Sequence, residues 1–542
     1  MKILTINIYF FITLGLSLIN GILLCFLSYK FFQIIQLSNY KLKGYVSWLK
    51  DTKSSYISRL LLLSLLSGFC VLVTNALFDV YHSSAIYSYL GLIFYFYFSI
   101  VFINNLYSSP KKVPLKYTTR MTRMTILMFI ISTILSFFLV VISTEYFGFI
   151  KFGILCFVPL FLPILVPIVH VLMLPIEKII STRYVVKAKL KLKRMPNLIK
   201  IGITGSFGKT STKYFLNTIL SEKYKVCMSP HSFNTLIGLT KVVNNYLTPN
   251  DEILIAEMGA RNVGDIKELC NLINPSFGII TGIGSQHMKS FKTYKNILST
   301  KKELVDAVEQ NNGFVVFNGK NEGAVKIFDD CNCKKKLIDD NSNSYIQASE
   351  ISFDGIVTSF VLRIGSEKFE CKTCVIGEHN IQNILLAVQM AKELKLSNKQ
   401  IVEGIRNIKP IPHRLELIKT QNNIILDDSY NANIEGSIIA LEALSKLGKR
   451  KIVVTPGLVE LGDKQQEANK QFGKDIAGVA DTVVIVNKIN FDAIREGLLE
   501  EAFLEDNIYQ AENLEKAKEM MKDFLKQDDA ILFENDLPDN YI

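Results

Sequence analysis

Five long apolar stretches in the first third of the chain restrict its fold more than any other feature of the sequence. They lie at about 5–28, 60–80, 84–105, 124–143 and 153–176, and each is rich in Leu, Ile, Phe and Val. A helix of about 20 apolar residues is long enough to cross the hydrocarbon core of a bilayer. We therefore expect a helical membrane domain with about five spans at residues 1–178. The first stretch lacks a small-residue cleavage site, which favours a retained helix over a signal peptide.

The distribution of lysine and arginine between these stretches predicts the orientation of the domain. Basic residues fill the connections after the first and third stretches, whereas the short connections at about 80–84 and 144–152 hold few charges. The positive-inside rule places basic connections in the cytoplasm. We therefore expect a multi-pass protein of the plasma membrane, with its N-terminus outside and its catalytic domains in the cytoplasm.

A third basic run follows the fifth stretch, and we interpret 179–198 as a juxtamembrane linker. The run contributes to the formal net charge of +11 and suits anionic lipid headgroups, although a solvated linker helix explains it equally well. Nucleic acid is not an expected partner, because the chain has neither a zinc-finger spacing nor a mixed aromatic and basic pattern.

The remainder of the chain has the pattern of two α/β domains. From residue 199, apolar strand-like runs alternate with helical patterns, which predicts a parallel sheet wrapped by helices. Between about 335 and 377 the alternation gives way to three short runs typical of antiparallel strands. A second alternating series predicts a Rossmann-like domain that lacks a dinucleotide-binding glycine motif. We place these domains at 199–405 and 406–542.

A glycine-rich loop at 202–210 connects the first predicted strand to a helix that begins at Lys209. This order of strand, loop and helix is the context of a phosphate-binding loop, whose backbone N–H groups point at bound phosphate. We expect Lys209 to neutralise the β and γ phosphates of ATP and the hydroxyl of Thr210 to hold Mg²⁺. The other residues expected to contact the nucleotide here are Gly205, Ser206, Phe207, Gly208 and Ser211.

Nine cysteines raise the question of a metal site. Cys331 and Cys333 form a Cys-x-Cys pair, which is not the usual half of a zinc knuckle. Cys371 and Cys374 fall on a predicted strand, where residues three apart face opposite sides. We interpret the cysteines as reduced cytosolic thiols and expect no disulfide framework.

The glycine loop departs from the common Walker form, because Ile203 stands where the first glycine is usual. The chain has Gly205-x-x-Gly208-Lys209-Thr210, preceded by Gly202-Ile203-Thr204. This form resembles the Mur ligase family, ATP-dependent enzymes that add amino acids to cell-wall precursors. Further motifs resemble that family in the same order along the chain, beginning with Ser232-Phe233-Asn234. The likeness covers about 340 residues and is closest to the branch that adds D-alanyl-D-alanine, the MurF type.

The resemblance implies a set of metal ligands. Ala256-Glu257-Met258-Gly259-Ala260 matches a motif whose glutamate binds Mg²⁺ in the family. The segment Ile279–His287 resembles one whose histidine binds a second Mg²⁺, with Gly282 in place of the family's asparagine. Lys301-Lys302-Glu303-Leu304 makes Lys301 the candidate for a carbamylated lysine that bridges the metals. Taken singly, His287 and Lys301 would be interpreted as an ordinary loop histidine and a solvated helix lysine.

The resemblance also implies residues around the nucleotide. Gly377-Glu378-His379-Asn380 begins a helix near the nucleotide in the family, although helix capping is an alternative role for Asn380 and Asn383. Pro412-His413-Arg414 resembles a turn that brings an arginine to the phosphates. The motif at 427–433 supplies Asp428 and Asn431 as further nucleotide contacts. The expected catalytic residues are Lys209, His287, Lys301 and Arg414.

A two-step reaction follows from the resemblance. ATP phosphorylates a carboxylate, and an amine then attacks the acyl phosphate, while closure of the C-terminal domain brings Arg414 and Asp428 onto ATP and excludes water. Soluble Mur ligases hold the UDP-sugar end of the precursor in an N-terminal domain, which this chain replaces with membrane spans. We therefore expect a carboxylate acceptor that is lipid-linked or close to the membrane.

The amino-group donor is left open by two departures from the family pattern. Pro456-Gly457-Leu458 stands where the family has Gly-Asp-Met, and the last strand ends in Glu534-Asn535-Asp536, where MurF-type enzymes have Lys-Gly-Ser. An acidic strand end suits an amino-bearing nucleophile, but Glu534 and Asp536 could also be merely solvated.

Other functions fit parts of the sequence. A membrane transport ATPase would combine spans with a phosphate loop, but no ABC-type signature follows the loop, and His170 is exceptional as an ionisable group within the spans. A catalytically dead scaffold is disfavoured because Lys209, Glu257, His287 and Lys301 are all present. Among ligases, a MurF-like enzyme acting on soluble UDP-MurNAc-peptide and a polyglutamate-type synthase remain alternatives.

Overall fold

The computed structural model separates the chain into two compact units, the first ending at Ser181 and the second beginning at Thr182. It describes residues 2–38, 40–51, 55–81, 86–108, 114–146, 151–230, 232–284, 288–339, 344–354, 357–430, 434–459, 461 and 464–535.

The first unit is helical. Its helices are α1 (Lys2–Leu27), α2 (Tyr29–Leu37), α3 (Leu42–Asp51), α4 (Ser55–Tyr81), α5 (Ile86–Ser108), α6 (Thr119–Tyr146), a 3₁₀ helix (Lys151–Phe161) and α7 (Leu162–Lys193). Buried polar side chains link three of them, because the Tyr95 hydroxyl donates to Asn20 Oδ1 at 2.8 Å and Asn20 Nδ2 donates to Ser136 Oγ at 2.9 Å. Such hydrogen bonds satisfy polar groups where apolar side chains surround them.

Four segments that lie wholly or partly in this unit have the length and composition needed to cross a membrane. They are Phe10–Leu27, Tyr56–Thr74, Thr119–Ile142 and Ile154–Lys193 among the described residues. The predicted stretch at 84–105 coincides with α5, whose described apolar segment, Leu92–Tyr107, is shorter. The basic run predicted as a linker lies on α7, which continues without a break to Lys193.

The middle part of the second unit contains the predicted parallel sheet. Its six strands are β1 (Ile199–Thr204), β2 (Val226–Met228), β3 (Ile253–Glu257), β4 (Phe277–Ile280), β5 (Phe314–Asn318) and β6 (Lys334–Ile338), in the order β2-β3-β1-β4-β5-β6. All their pairings are parallel, with Ile203 of β1 opposite Glu257 of β3. The loop after β1 therefore leaves from the centre of the sheet, where its carboxyl edge forms a ligand crevice.

Helices cover both faces of this sheet and supply most of the core. They are α8 (Lys209–Leu220), α9 (Leu236–Lys241), α10 (Asp265–Ile273), α11 (Met288–Phe291), α12 (Tyr294–Gln310), α13 (Glu322–Asp329), α14 (Glu378–Glu393) and α15 (Asn398–Arg406). The predicted antiparallel strands are confirmed as β7 (Ile346–Phe353), β8 (Thr358–Ile364) and β9 (Glu367–Thr373). Helix α14 packs against α8, which brings its first turn to the phosphate loop.

The C-terminal part has a second six-stranded sheet. Its strands are β10 (Glu416–Lys419), β11 (Ile424–Asp428), β12 (Lys451–Thr455), β13 (Thr482–Val486), β14 (Ile508–Ala511) and β15 (Ala530–Glu534), in the order β10-β11-β15-β12-β13-β14. Only the pairing of β10 with β11 is antiparallel among them. Helices α16 (Ile434–Ser445), α17 (Gln465–Ala477), α18 (Phe491–Glu500) and α19 (Leu514–Met521) flank it.

All nine cysteines are unpaired in the structure. Cys331 and Cys333 place their sulfurs 3.8 Å apart, and neither lies with Cys371 or Cys374 in a group of potential metal ligands among the described residues. Cys371 is buried on β9 whereas Cys374 is exposed just beyond it, as expected for positions three apart.

Candidate active site

The phosphate loop closes against the residues that follow β4. Ser206 N donates to the carbonyl of Gly282 at 2.7 Å, and Thr281 Oγ1 donates to the carbonyl of Phe207 at 2.5 Å. A Cβ atom on Gly205 would lie 2.0 Å from Thr281 Oγ1, and Gly208 has a φ of +80°. Both positions therefore require glycine, because a side chain would collide at the first and strain the backbone at the second.

The replacement of the family's asparagine by Gly282 has a visible steric cause. The Phe207 ring lies directly over Gly282, so that a Cβ atom there would stand 1.8 Å from Cε2 of the ring. Phe207 thus occupies the volume that a side chain at 282 would need.

Lys209, the first residue of α8, is held inside the loop. Its Nζ donates to the carbonyl oxygens of Gly205 and Ser206 at 2.9 and 2.8 Å. Burial lowers its pKa to about 8, the Glu257 carboxylate raises it and Arg414 lowers it further. The Lys209 amino group can exchange these hydrogen bonds to loop carbonyls for hydrogen bonds to phosphate oxygens when an anion binds.

Glu257, the last residue of β3, accepts three polar contacts while being 1% exposed. Its Oε2 accepts from Thr210 Oγ1 at 3.1 Å and from Lys213 Nζ at 3.0 Å, and its Oε1 accepts from Asn234 Nδ2 at 3.1 Å. Burial would raise the pKa of Glu257, but Lys213, Lys209 and the Asn234 amide more than offset it and hold the pKa below its ordinary value. Glu257 is therefore a carboxylate.

Lys213 is a residue of this site that the motifs did not predict. Its side chain is fully buried against Glu257, one helical turn after Lys209 on α8. The spacing of four residues was a usable signal, because it places both amino groups on the same face of the helix.

A divalent cation fits the oxygen atoms at this position. The Thr210 hydroxyl and the Glu257 carboxylate lie 3.1 Å apart at the end of the phosphate loop, and oxygen ligands are those that Mg²⁺ prefers. His287, predicted as a ligand of a second Mg²⁺, lies outside the described residues.

Lys301 is buried at the middle of α12, so its interpretation as a solvated helix lysine is wrong. Burial lowers its pKa to about 7, Lys209 lowers it further, and Glu303 and Asp265 raise it. Its amino group makes no hydrogen bond or ion pair to any described residue. The neighbouring Glu303 accepts from the N–H groups of Gly264 and Lys267 at 2.8 and 2.7 Å, which fixes α12 against the start of α10.

The two asparagines of α14 contact the backbone and the loop helix. Asn380 Nδ2 donates to the carbonyl of Ile376 at 2.8 Å, a hydrogen bond of the turn before α14, whose N-cap is Gly377 and not Asn380. Asn383 Oδ1 accepts from Thr212 Oγ1 at 3.3 Å and lies beside Gly208. Both residues thus set the start of α14 against the phosphate loop.

Arg414 reaches the phosphate loop from the start of the C-terminal part. Its Nη2 donates to Thr210 Oγ1 at 3.4 Å, and its guanidinium lies 4.5 Å from the centroid of the Tyr430 ring. The Tyr430 hydroxyl in turn contacts Ser232 Oγ in the segment before α9. The guanidinium of Arg414 therefore packs on an aromatic ring and lies next to the predicted phosphate and metal position.

A pair of acidic residues ends two neighbouring strands of the C-terminal sheet. Asp428 of β11 lies opposite Glu534 of β15 in the register. Burial raises the pKa of Asp428 to about 6, against the lowering effects of the Leu415 N–H and Arg414. Burial and Asp428 raise the pKa of Glu534 well above its ordinary value. Burial therefore favours the protonated form of both acids.

Glu534 is fully buried, so its interpretation as a solvated residue is wrong. Neither of its carboxyl oxygens has a hydrogen-bond partner among the described residues. Asp536 and Asn431 lie outside the part of the chain that the structure describes.

Comparison with known proteins supports the family resemblance that the sequence motifs indicate. A family profile described as the Mur ligase middle domain matches residues 203–391, and one described as the Mur ligase glutamate ligase domain matches residues 413–534. The chain belongs to the Mur ligase family. By this membership it is an ATP-dependent ligase that forms a carbon–nitrogen bond, and the resemblance drawn from the motifs is confirmed.

The most similar relatives include MurF-type enzymes. The UDP-N-acetylmuramoyl-tripeptide–D-alanyl-D-alanine ligase of Bacillus subtilis is 28% identical over 338 residues, which cover 61% of this chain and 72% of that protein. The enzyme of the same name from Escherichia coli is 27% identical over 293 residues, which cover 53% of this chain and 64% of that protein. The match thus spans less than two thirds of the Escherichia coli enzyme.

Solved structures share the fold. MurF ligase from Thermotoga maritima in complex with ADP matches with a TM-score of 0.58 at 23% identity, covering 66% of this chain and 80% of that one. A crystal structure of MurF from Acinetobacter baumannii matches with a TM-score of 0.59 at 23% identity, covering 66% of this chain and 77% of that one. The predicted architecture of Mur ligase middle and C-terminal domains after a helical N-terminal region is confirmed.

Proposed function

We propose that this protein is a membrane-anchored Mur ligase that joins an amino-bearing group to a carboxylate of a lipid-linked cell-envelope precursor. The observation that carries the proposal is the convergence of Lys209, Thr210, Glu257 and Arg414 at the end of the phosphate loop, in a chain whose N-terminal unit is a set of apolar helices.

The first step is transfer of the γ-phosphoryl group of ATP. A carboxylate oxygen of the acceptor attacks the γ-phosphorus, the bond to ADP breaks, and an acyl phosphate forms. Lys209 and Arg414 neutralise the charge that moves onto the phosphate oxygens. Mg²⁺ held by Thr210 and Glu257 would supply further positive charge at those oxygens.

Lys301 is suited to carbamylation by its burial. A carbamate forms when a neutral lysine amine attacks carbon dioxide, and burial without a carboxylate partner favours the neutral amine. The carbamate would present two oxygens beside Lys209, and together with His287 it would serve a second Mg²⁺.

The second step joins the amine. Its nitrogen attacks the acyl carbon, inorganic phosphate leaves with the bonding electrons, and the nitrogen loses a proton. Arg414 and Asp428 belong to the C-terminal part, which we infer closes over ATP and excludes the water that would hydrolyse the acyl phosphate.

We propose a lipid-linked acceptor because helices of membrane-spanning length precede the ligase domains. The curated relatives are named for the soluble precursor UDP-N-acetylmuramoyl-tripeptide, whereas the residues that precede β1 here form helices of membrane-spanning length. A membrane-bound carboxylate would already be concentrated next to a cytoplasmic site on the same chain.

A side-by-side assay tests the acceptor. The full-length protein in nanodiscs is given ATP and Mg²⁺ with either UDP-MurNAc-tripeptide and D-Ala-D-Ala, or a total lipid extract and mixed amino acids. Phosphate release and product mass are measured, with Lys209→Met as the inactive control. We expect product in the lipid arm, whereas efficient ligation of the soluble pair alone would overturn the lipid-linked acceptor.

A MurF-like enzyme acting on the soluble precursor is the second candidate, favoured by the names of the relatives. In that case the soluble pair gives product at the same rate whether or not lipid extract is present. A polyglutamate-type synthase would instead extend its product by successive glutamates, which the product mass distinguishes.

A further inference from the structure

A cationic and aromatic cluster lies at one end of the helices in the N-terminal unit. Arg120, in the first turn of α6, places its guanidinium 3.8 Å from the centroid of the Tyr40 ring. The same ring stacks on His170 of α7, with the ring centroids 6.2 Å apart and the planes at 29°. Tyr40 therefore joins a guanidinium and an imidazole in one cluster, and the charge of Arg120 reaches His170.

Two nitrogen atoms of this cluster are buried without hydrogen-bond partners. They are Nε of Arg120 and Nδ1 of His170, neither of which is paired with any described residue. His170 itself is only 1% exposed. A buried polar nitrogen without a partner costs free energy, so a ligand that pairs with it binds with a corresponding advantage.

The neighbouring Arg123 shows that the cluster's charge is left uncompensated. Arg123, one turn after Arg120 on α6, is bound to Glu177 of α7 through Nε at 2.8 Å and Nη2 at 2.6 Å. Glu177 is thus committed to Arg123, and no described carboxylate lies within ion-pair distance of Arg120. The result is a surplus cation on α6, one turn before an arginine that is already paired.

The backbone that carries Arg120 is held in place. Gln36 of α2 donates to the carbonyl of Lys116 at 2.7 Å and accepts from the Lys116 N–H at 2.9 Å. The N–H of Leu115 donates to the hydroxyl of Tyr29 at 3.1 Å. The segment before α6 is therefore tied to α2, and the cluster does not depend on a free loop.

An apolar side chain on α7 lies one turn after His170 and remains exposed. Leu174 is 42% exposed, and its spacing of four residues places it on the face of α7 that carries His170. An exposed apolar side chain on a helix of membrane-spanning length suits acyl chains. A ligand that pairs with Arg120 while contacting Leu174 must be anionic at one end and apolar at the other.

We propose that Arg120, Tyr40 and His170 form a binding site for the phosphoryl group of a membrane lipid. A guanidinium donates hydrogen bonds to phosphate oxygens, while the His170 ring donates to the Tyr40 backbone and leaves Nδ1 as an acceptor for a phosphate hydroxyl, and the low dielectric strengthens these hydrogen bonds. The exposed lysines Lys41 and Lys116, close in sequence to Tyr40 and Arg120, add attraction for anionic headgroups. The inference uses the membrane location proposed above and is independent of the ligase reaction.

Lipid binding without turnover is the test. The full-length protein is placed in phosphatidylcholine nanodiscs and titrated with phosphatidic acid, a phosphomonoester lipid, and bound lipid is counted by native mass spectrometry. We expect Arg120→Gln and His170→Gln each to weaken phosphatidic acid binding by at least fivefold. Arg59→Gln is the matched control, because Arg59 is exposed on α4 and its loss removes the same charge, and it should leave binding within twofold of wild type.

Two outcomes would overturn the site. If Arg59→Gln and Arg120→Gln weaken binding equally, the lipid is held by surface charge alone. If inorganic phosphate displaces phosphatidic acid at equal concentration, the cluster binds free phosphate and not a lipid.

The Arg120→Lys variant is a control for misfolding of Arg120→Gln. It keeps the charge but loses the planar pair of donors, so binding is expected between that of Arg120→Gln and wild type. The lipid count does not involve ATP, so ligation of a soluble acceptor would overturn the proposed function and leave this result unchanged.

Discussion

The carboxyl edges of the two sheets place a glutamate in opposite electrostatic environments. Glu257 ends β3 and is surrounded by Lys213, Thr210 and Asn234. Glu534 ends β15, is equally buried, and has no hydrogen-bond partner among the described residues. The partners of Glu257 outweigh the effect of its burial, so its pKa lies below the ordinary value. Burial raises the pKa of Glu534 well above the ordinary value. Burial alone therefore does not decide whether an acid is charged; its partners do.

We expect the largest effect on activity and stability from replacing Glu257. Glu257→Gln takes away a proposed metal ligand and breaks the buried ion pair with Lys213. Ligase activity should fall by about a thousandfold, and the free energy of unfolding by about 3–5 kcal/mol. Phosphate release and denaturant unfolding measure the two losses.

A double variant separates those two effects. Glu257→Gln with Lys213→Met removes both charges, so most of the stability should return while activity stays lost. Recovery of activity in the double variant would contradict the assignment of Glu257 as a metal ligand.

The next largest effect concerns Lys301, whose role is proposed and whose burial is observed. Lys301→Ala should lower activity by about a hundredfold, because the carbamate oxygens are lost. Added formate or acetate should restore part of the rate by supplying a carboxylate to the same position. Lys302→Ala is the control, since Lys302 faces outward and pairs with Asp330, and it should retain nearly full activity.

Arg414 extends from the C-terminal part to Thr210 at the phosphate loop, and a shorter side chain at this position tests that contact. Arg414→Lys keeps the charge but loses the planar contact with the Tyr430 ring and the reach to Thr210. We expect about a tenfold loss of ligase activity, or about 1.4 kcal/mol. Tyr430→Phe keeps the ring and should stay within about threefold of wild type; an equal loss in both variants would show that the hydroxyl contact to Ser232 matters as much as the guanidinium.

The smallest effect is on stability and depends on pH. Burial raises the pKa of Glu534 above that of the unfolded chain, about 4.3, so its contribution to stability is lost as pH rises above the unfolded pKa. Glu534→Gln removes this penalty. The variant should be more stable than wild type at pH 8, and the gain should nearly vanish at pH 4.5.

Thermal unfolding at the two pH values measures the difference. Glu501→Gln, at an exposed position on the same domain, should show no such dependence. An equal gain at pH 4.5 and pH 8 would mean that Glu534 is ionised in the folded protein.

The sequence predicted the elements that local pattern determines. The strand before the glycine loop, the alternating helices and the three antiparallel strands were all recognisable from periodicity and motif order. The short edge strands were missed, because β6 is rich in lysine and β2 has only three residues. Charged or very short edge strands carry little apolar signal.

The candidate site was predictable only in part, for physical reasons that differ between residues. Lys213 had a local signal in its spacing from Lys209. The burial of Glu534 had none, because it follows from the pairing of β15 with β11, which lies about a hundred residues earlier in the chain. Phe207 could not be matched with Gly282 from sequence, since that contact depends on how two loops meet.

Trapping the activated acceptor shows whether the protein forms an acyl phosphate on a lipid-linked carboxylate. The full-length protein is incubated with ATP, Mg²⁺ and hydroxylamine, which converts an acyl phosphate to a stable hydroxamate, in the presence of either the lipid fraction or the aqueous fraction of cells. We expect an ATP-dependent hydroxamate in the lipid fraction that is absent with Lys209→Met. Hydrolysis of ATP without any hydroxamate, or a hydroxamate confined to the aqueous fraction, would rule out a lipid-linked acyl phosphate.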